Sequence, residues 1–340
     1  MSQQHENKMM RTITLEEHYA TPAFMEGPGR QLREAAHAAE AHPLLTAGMT
    51  RLVEQLCDLD GRRIADMDAA RIDVQVLSLT SPGVEQLETA EAVALSRATN
   101  DTLADAVRRY PRRFVGFAAL PTAAPETAAD ELERTVREYG FKGGCINGHI
   151  RGRYLDDPFF WPILERAETL QVPLYLHPAL PPKPVIEASY TGNFAPEVTR
   201  VLAMAAWGWH IETATHVLRI ILSGAFDRYP RLQLIIGHMG EALPFMLPRL
   251  DLGLPPEVTK LNRPISAYLR ENLHYTFSGF NFLPTFLDLL LQMGADRIMF
   301  SADYPYGSMV QARAFLDQLP VSPADKDRIA HGNAESLLRL

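Results

Sequence analysis

The chain has 340 residues, of which 46% are hydrophobic and 22% charged, and its net charge is −8. This composition is typical of a globular protein with a large core, and an acidic chain without a dense Lys/Arg run argues against a nucleic-acid partner. No run reaches the ~18 apolar residues of a membrane helix, and residues 1–10 are polar rather than signal-like. Cys57 and Cys145 lack metal-binding spacing. We therefore expect a cytoplasmic protein without a membrane span, with two buried reduced thiols and a flexible segment over residues 1–10.

Short apolar runs alternate with helical patterns along the chain. The eight predicted strands are Arg11–Glu16, Val74–Leu79, Phe114–Ala118, Gly143–Ile146, Val172–His177, Leu232–Gly237, His274–Phe277 and Arg297–Ser301. The predicted helices include Glu85–Arg109, Glu126–Tyr139, Pro158–Leu170, Ile211–Phe226, Leu283–Met293 and one that Ser322 caps. Nearly continuous apolar runs are typical of strands buried on both faces.

This alternation predicts a single α/β domain over residues 1–340, a (β/α)8 TIM barrel, with a doubly wound sheet as the alternative. The sequence contains no GxGxxG or GxxxxGK[ST] after an early strand, which argues against the nucleotide-binding versions of that alternative. Two long loops, over residues 19–49 and 178–196, follow the first and fifth strands. Both start at the catalytic face of the predicted barrel, where loops usually build the pocket or a subunit contact.

Metal-capable side chains lie at or just beyond the ends of several of these runs. Glu16 and His18 come at the end of the first run, His177 ends the fifth, and Asp303 follows the eighth. Residues i and i+2 of an extended segment point the same way, so Glu16 and His18 are predicted to face one ion, and Glu17 to point elsewhere. Parallel barrel strands would aim these groups into one mouth. Two carboxylates and two imidazoles suit either Zn²⁺ or Mn²⁺.

A second group of candidates surrounds the sixth strand. His238, just after it, either caps the turn or faces the substrate beside the metal. Glu241 is either favoured by the dipole of the next helix or orients His238 through a ring N–H. Arg249, two turns along, is either solvated or binds a carboxylate. His210 and His216 are expected to be packing or capping residues.

Four motifs carry a resemblance to a known family. They are Leu15-Glu16-Glu17-His18-Tyr19-Ala20-Thr21-Pro22, Tyr175-Leu176-His177-Pro178, Gly237-His238-Met239-Gly240-Glu241 and Ser301-Ala302-Asp303-Tyr304-Pro305. The chain resembles, from about residue 11 to its end, the decarboxylase branch of the amidohydrolase superfamily, which includes γ-resorcylate and 2,3-dihydroxybenzoate decarboxylases. The superfamily is a (β/α)8 barrel, and its hydrolytic members usually open with His-x-His, where this chain has Glu16 in place of the first His.

The resemblance implies roles for individual residues. Glu16, His18, His177 and Asp303 would hold one Zn²⁺ or Mn²⁺, with His238 and Glu241 beside it. Arg249, Phe24 and Asn147 would belong to the substrate pocket. The resemblance also implies a homodimer or homotetramer.

The same resemblance implies a reaction. The substrate would be a small aromatic carboxylic acid with an ortho hydroxyl, which Asp303 protonates at the ring carbon before CO2 leaves. His238 would bind a substrate oxygen or tune Asp303. The main alternative is a hydrolase that uses a metal-activated water on a lactone, ester or amide. A non-catalytic binding protein is a third class, against which the complete ligand set argues.

Overall fold

A computed structural model describes residues 10–32, 34 and 51–340. In this part of the chain, nine strands pair in parallel. They are β1 Ile13–Tyr19, β2 Val74–Leu79, β3 Phe114–Gly116, β4 Ala118–Ala119, β5 Gly144–Asn147, β6 Leu174–His177, β7 Leu234–Ile236, β8 Leu273–Thr276 and β9 Ile298–Met299. They form two sheets, with orders β1-β2-β3 and β4-β5-β6-β7-β8-β9.

The two sheets are joined at both ends. Only Phe117 separates β3 from β4, and its N–H donates to Leu77 O in β2 at 2.9 Å. At the other end, Leu15 in β1 forms a parallel bridge with Ser301, just after β9. The strands therefore follow one another in cyclic order, and the fold is the predicted (β/α)8 barrel.

Helices cover the outside of the strands and follow most of them in the chain. The α-helices are Pro22–Glu26, Gly61–Ala70, Thr89–Arg109, Pro125–Tyr139, Trp161–Leu170, Lys183–Ser189, Pro196–Ala203, Gly208–Leu222, Ala225–Arg228, Leu243–Gly253, Pro256–Thr259, Ile265–Glu271, Leu283–Met293, Met309–Gln318, Pro323–Asp327 and Asn333–Leu338. Short 3₁₀ turns lie at Pro158–Phe160, His238–Gly240 and Ala295–Arg297, and a π-helical turn at Arg328–Gly332. No helix in the described residues is long and apolar enough to cross a membrane.

The core has an inner and an outer layer. The inner cluster takes side chains from many strands: Ile13, Leu15, Val74, Val76, Phe117, Cys145, Tyr175, Ile235 and Met299. The larger cluster packs the opposite faces of the strands against the helices. An interior filled by side chains is a packed core rather than a pore, so the barrel supports a site at its mouth.

Several sequence predictions need correction. The third predicted strand is broken at Phe117, which explains nine strands where eight were expected. Strand β1 starts and ends later than predicted and contains Glu16 and His18. The predicted helix over 211–226 is two helices separated by Gly224, whose φ is 77°. Both cysteines are free, but Cys57 is exposed rather than buried.

Other predictions hold or lie outside the described residues. The predicted helix end before Gly140 is confirmed, because that glycine has a left-handed φ of 70°. Ser322 caps its helix by accepting from the N–H of Asp325. The loop over 178–196 contains the helix Lys183–Ser189. Most of the loop over 19–49, and residues 1–9, lie outside the described residues.

Candidate metal centre

A bulge in β1 aims the first two candidate ligands. Thr14 pairs with Gln75 and Glu17 with Leu77, so β1 has one more residue than β2 in this stretch. Glu16 occupies the extra position with a left-handed φ of 62°. The prediction that Glu16 and His18 share a direction holds, but its reason was wrong, because the segment is bulged rather than regularly extended.

Three of the four predicted ligands come together. Glu16, His18 and His177 each offer a ligand atom, and these atoms lie within 4.8 Å of one another. Glu16 Oε1 lies 3.2 Å from His177 Nε2, and the His18 and His177 ring centroids are 4.9 Å apart. All three residues are buried. The structure therefore brings three of the predicted ligands together, and their role as metal ligands stays a prediction.

Asp303 lies at the edge of this cluster rather than at its centre. Its Oδ1 is 3.0 Å from His18 Nε2, and it is outside the group of three that lies within 4.8 Å. Its side chain is 19% exposed, whereas that of Glu16 is fully buried. Asp303 is therefore the carboxylate of this set that a molecule entering from solvent can reach.

The two oxygens of Glu16 have different surroundings. Oε2 accepts hydrogen bonds from the hydroxyls of Tyr175, Ser278 and Thr276, all of them buried. Oε1 is buried and accepts no hydrogen bond from the described residues. It points toward His177 and, at 3.8 Å, toward Nε2 of His238. A carboxylate anchored on one side and free on the other suits a metal ligand.

The charge state of these ligands suits a divalent cation. Burial opposes ionisation of Glu16, but the neighbouring charges of His238, His177 and His18 hold its pKa well below the usual range. Burial lowers the pKa of His18, and the Asp303 carboxylate opposes this only in part. These shifts favour an ionised Glu16 carboxylate and a neutral His18 imidazole, which are the forms that bind metal.

Glu241 bridges two imidazoles beside the cluster. Its Oε1 is 2.8 Å from Nδ1 of His238, and its Oε2 is 2.6 Å from Nδ1 of His210. The other ring nitrogen of His210 faces the Ala205 carbonyl oxygen at 2.9 Å. Both ring nitrogens of His210 thus face oxygen acceptors. At least one of these nitrogens carries a proton, so His210 donates a hydrogen bond to Glu241 or to Ala205 O.

The carboxylates beside His238 control its protonation. Burial alone would lower the pKa of His238, but Glu241 and Glu16 together raise it to about 10. In the opposite sense, burial would raise the pKa of Glu241, whereas His238 and His210 lower it. His238 is therefore a cationic donor at neutral pH and can bind an anionic group above the cluster.

Left-handed backbone is concentrated at this site. Glu16, His238, Glu241, Ser278 and Asp303 have φ values of 62°, 51°, 54°, 48° and 59°. Such conformations cost non-glycine residues free energy and persist where the surrounding structure fixes them, often at functional sites. The concentration is independent support for a functional site here.

Aromatic rings border the cluster. Phe280 lies 5.3 Å from the His238 ring and 5.2 Å from the His210 ring, between centroids. Tyr306 lies 5.4 Å from His18, and its hydroxyl is 2.8 Å from that of Thr80. Aromatic walls beside a charged centre suit a planar ligand with one anionic end.

The three predicted pocket residues have different positions. Asn147 ends β5 opposite His177 in register, and its buried Oδ1 accepts no hydrogen bond from the described residues. Phe24 is fully buried in the outer core. Arg249 is exposed on the helix Leu243–Gly253. The structure thus places Asn147 beside the predicted metal ligand His177. The pocket roles of Asn147, Phe24 and Arg249 stay predictions.

Sequence reasoning missed two residues. His210 was expected to pack or cap a helix, but it contacts Glu241 and its ring centroid is 4.6 Å from that of His238. Glu17 was expected only to point elsewhere, but it contacts the segment around Asp303. The partners of both residues are distant in sequence, so no local motif pointed to these contacts. The available hints were the two histidines of one helix, His210 and His216, and the adjacent pair Glu16 and Glu17.

Most of the barrel matches a known family. The chain matches the family described as Amidohydrolase over residues 35–340. A similar curated protein is the γ-resorcylate decarboxylase of Polaromonas sp. strain JS666, which is 37% identical over 96% of this chain and 98% of that protein.

Two solved structures show the same similarity. One is the 5-carboxyvanillate decarboxylase of Novosphingobium aromaticivorans, complexed with manganese and 4-hydroxy-3-methoxy-5-nitrobenzoic acid. It has a TM-score of 0.89 and 38% identity, over 98% of this chain and 97% of that chain. The other is a dihydroxybenzoic acid decarboxylase from Polaromonas sp. JS666, with bound manganese and 2-nitroresorcinol. Its TM-score is 0.81 and its identity 34%, over 98% of both chains.

Proposed function

The chain belongs to the amidohydrolase family, and we propose that it is a metal-dependent decarboxylase of an aromatic acid with a hydroxyl ortho to the carboxylate. The observation that carries this proposal is the buried set of Glu16, His18 and His177 with the reachable carboxylate of Asp303 beside it. The named substrates of the similar proteins, γ-resorcylate and 5-carboxyvanillate, both have that ortho hydroxyl.

Glu16, His18 and His177 would hold one divalent ion, with Asp303 completing the set. The free Oε1 of Glu16 and the facing imidazoles fit such an ion. We infer Mn²⁺ rather than Zn²⁺, because the two similar structures contain manganese. The bound ion supplies positive charge for the substrate carboxylate and its ortho oxygen.

Decarboxylation of a benzoate needs an electron sink, since direct CO2 loss would leave an aryl carbanion. The ortho hydroxyl would provide one: it would lose its proton to Asp303 while the ring carbon that bears the carboxylate gains a proton, so that the ring becomes a dienone. Asp303 would donate that proton, since it is the partly exposed carboxylate at the cluster. The electron pair of the C–C bond then returns to the ring as CO2 leaves, and aromaticity is restored.

His238 would hold the substrate during this step. Its cationic ring faces the cluster and is fixed by Glu241 through Nδ1, which leaves Nε2 for a substrate oxygen. Phe280 and Tyr306 would flank the ring. These contacts would orient a planar acid with its anionic end toward His238 and its reacting ring carbon toward Asp303.

A substrate screen tests the proposal. We expect manganese-loaded protein to convert 2,6-dihydroxybenzoate or 5-carboxyvanillate to CO2 and a phenol, measured by chromatography. The matched compound 3,5-dihydroxybenzoate, which lacks an ortho hydroxyl, should not react. Asp303→Asn should lower kcat by about 10²- to 10⁴-fold with manganese still bound.

Three results would contradict this. Equal turnover of the 3,5-isomer would remove the ortho requirement. Near-normal turnover by Asp303→Asn would remove the acid role. Hydrolysis of a lactone, ester or amide panel without CO2 from any phenolic acid would favour the metal-activated-water reaction instead.

The chain also exposes large apolar side chains on two of its outer helices. Phe245 and Leu252 on the helix Leu243–Gly253 are 75% and 72% exposed, and Leu291 on the helix Leu283–Met293 is 84% exposed. Exposed apolar side chains on neighbouring helices mark an association surface. We therefore propose that the protein is a homodimer or homotetramer through this apolar face, defined by Phe245, Leu252 and Leu291.

A further inference from the structure

Glu17 is buried behind the metal cluster, on the opposite side of β1 from Glu16. Its side chain has no exposed surface, and it accepts three hydrogen bonds. Oε1 accepts from the N–H of Ala302 at 2.9 Å, and Oε2 accepts from the N–H of Tyr304 at 3.2 Å. The third donor is Nε2 of Gln75, at 3.3 Å.

Two of these donors are the backbone N–H groups of the residues on either side of Asp303. Between them, Asp303 has a left-handed φ of 59°, a conformation that is uncommon for non-glycine residues. One carboxyl group therefore holds the backbone N–H of both residues that flank Asp303. A separate hydrogen bond, from the N–H of His18 to Tyr304 O at 2.7 Å, ties the same two segments together.

The hydrogen-bond chain continues from Glu17 to His18 by another route. Oε1 of Gln75 accepts from Nη1 of Arg63, which is itself fully buried. Nη2 of Arg63 donates to His18 O at 2.7 Å and to Gln55 O at 2.9 Å. One buried hydrogen-bond network thus reaches both His18 and the two residues that flank Asp303.

We propose that Glu17 is a positioning residue, which sets the direction of Asp303 relative to His18 and so the geometry of the metal centre. The proposal deepens the proposed function and rests on it for the role of Asp303. The hydrogen-bond network belongs to the fold. Its effect on the metal centre can therefore be measured as metal affinity, without any substrate. Groups that orient ligands from behind typically change metal affinity or activity by about 10- to 100-fold when removed.

The substitution Glu17→Gln tests this with little change in volume. An amide has one oxygen acceptor, so its NH2 group would oppose one of the three N–H donors. We expect the Mn²⁺ dissociation constant, measured by titration calorimetry on metal-stripped protein, to rise about tenfold or more. On a reactive phenolic acid, kcat should fall by a similar factor, with KM within about twofold of wild type.

The chain offers a matched control in Glu131→Gln. Glu131 is also a buried carboxylate, with a side chain 4% exposed, and it accepts from Asn100 Nδ2 at 2.8 Å and from Arg134. Neither partner contacts the metal cluster. Glu131→Gln should lower the melting temperature comparably and leave the Mn²⁺ affinity and kcat unchanged.

Wild-type Mn²⁺ affinity in Glu17→Gln, or equal losses in Glu131→Gln, would overturn the proposal. Should Glu17→Gln not fold, Gln75→Met cuts the link between Glu17 and Arg63 without a large cavity. It should weaken Mn²⁺ binding in the same direction, and wild-type affinity there would contradict the network. A wild type that binds Mn²⁺ with an affinity that depends on Glu17, but converts no phenolic acid, would contradict the proposed function alone.

Discussion

At the scale of single residues, Glu241 links two histidines that reach it from different elements. Its oxygens contact Nδ1 of His238 and Nδ1 of His210 at 2.8 and 2.6 Å. Nδ1 of His238 is held by this contact, so Nε2 is the nitrogen that faces Glu16. The orientation of the His238 imidazole thus depends on His210, which reaches it through Glu241.

The substitution His210→Gln tests that dependence. It removes the ring between Glu241 and Ala205, and Glu241 is then held by His238 alone. We expect kcat to fall by about tenfold or more, with KM changed by less than about threefold. Steady-state kinetics on a reactive phenolic acid measure both quantities.

His216→Gln is the control on the same helix. His216 is buried, its Nε2 accepts from the N–H of Leu155 at 2.9 Å, and burial lowers its pKa to about 3. Glutamine keeps the acceptor, so the kinetic constants should stay near those of wild type. Equal losses in both variants would mean that His210 acts only through helix packing.

Residue chemistry explains what the sequence could predict at the site. That Glu16, His18, His177 and Asp303 lie close together was predictable, because all four occur at or just after the ends of parallel strands, which meet at one mouth. His210 and Glu17 were not, because their value comes from contacts 31 and 285 residues away along the chain. Asp303 was assigned as a ligand, yet the structure places it at the cluster's exposed edge.

At the scale of elements, hydrophobic runs predicted most strands and helices, but the irregularities escaped. The helix Leu283–Met293 has the predicted bounds, and β2 does too. The bulge at Glu16 did not follow from the pattern, since a period-two pattern describes only regular strands. The break at Phe117 escaped because the run of apolar residues continues across it.

The proposed self-association surface lies on two outer helices, Leu243–Gly253 and Leu283–Met293. The substitution Leu291→Glu places a charge in the middle of the apolar face, and an unpaired charge in an interface opposes association. Wild-type protein should have a mass that is a multiple of the 38.0 kDa chain in light scattering, and Leu291→Glu should shift it toward one chain.

Val310→Glu is the matched control. Val310 is 59% exposed on the different helix Met309–Gln318, so the same change there should leave the mass as in wild type. A wild-type mass of one chain at micromolar concentration would refute the association surface. So would a Leu291→Glu protein with the wild-type mass.

At the scale of the whole molecule, the barrel brings distant segments to one mouth. Strands β1 and β6 carry Glu16, His18 and His177, while His238 and Asp303 follow β7 and β9. Parallel strands end on the same side, so loops and ligands from separate parts of the chain meet there. That geometry allows one buried metal centre with an open edge, which is what proton delivery to an aromatic acid needs.

The most direct test of this account is the metal content of the purified protein after manganese loading and dialysis. Elemental analysis should find one Mn²⁺ for each 38.0 kDa chain, and much less in His177→Gln, while His216→Gln keeps the full amount. Decarboxylation should rise in proportion to the bound metal. A chain that takes up no divalent ion, or a His177→Gln protein that binds manganese as tightly as wild type, would contradict the account.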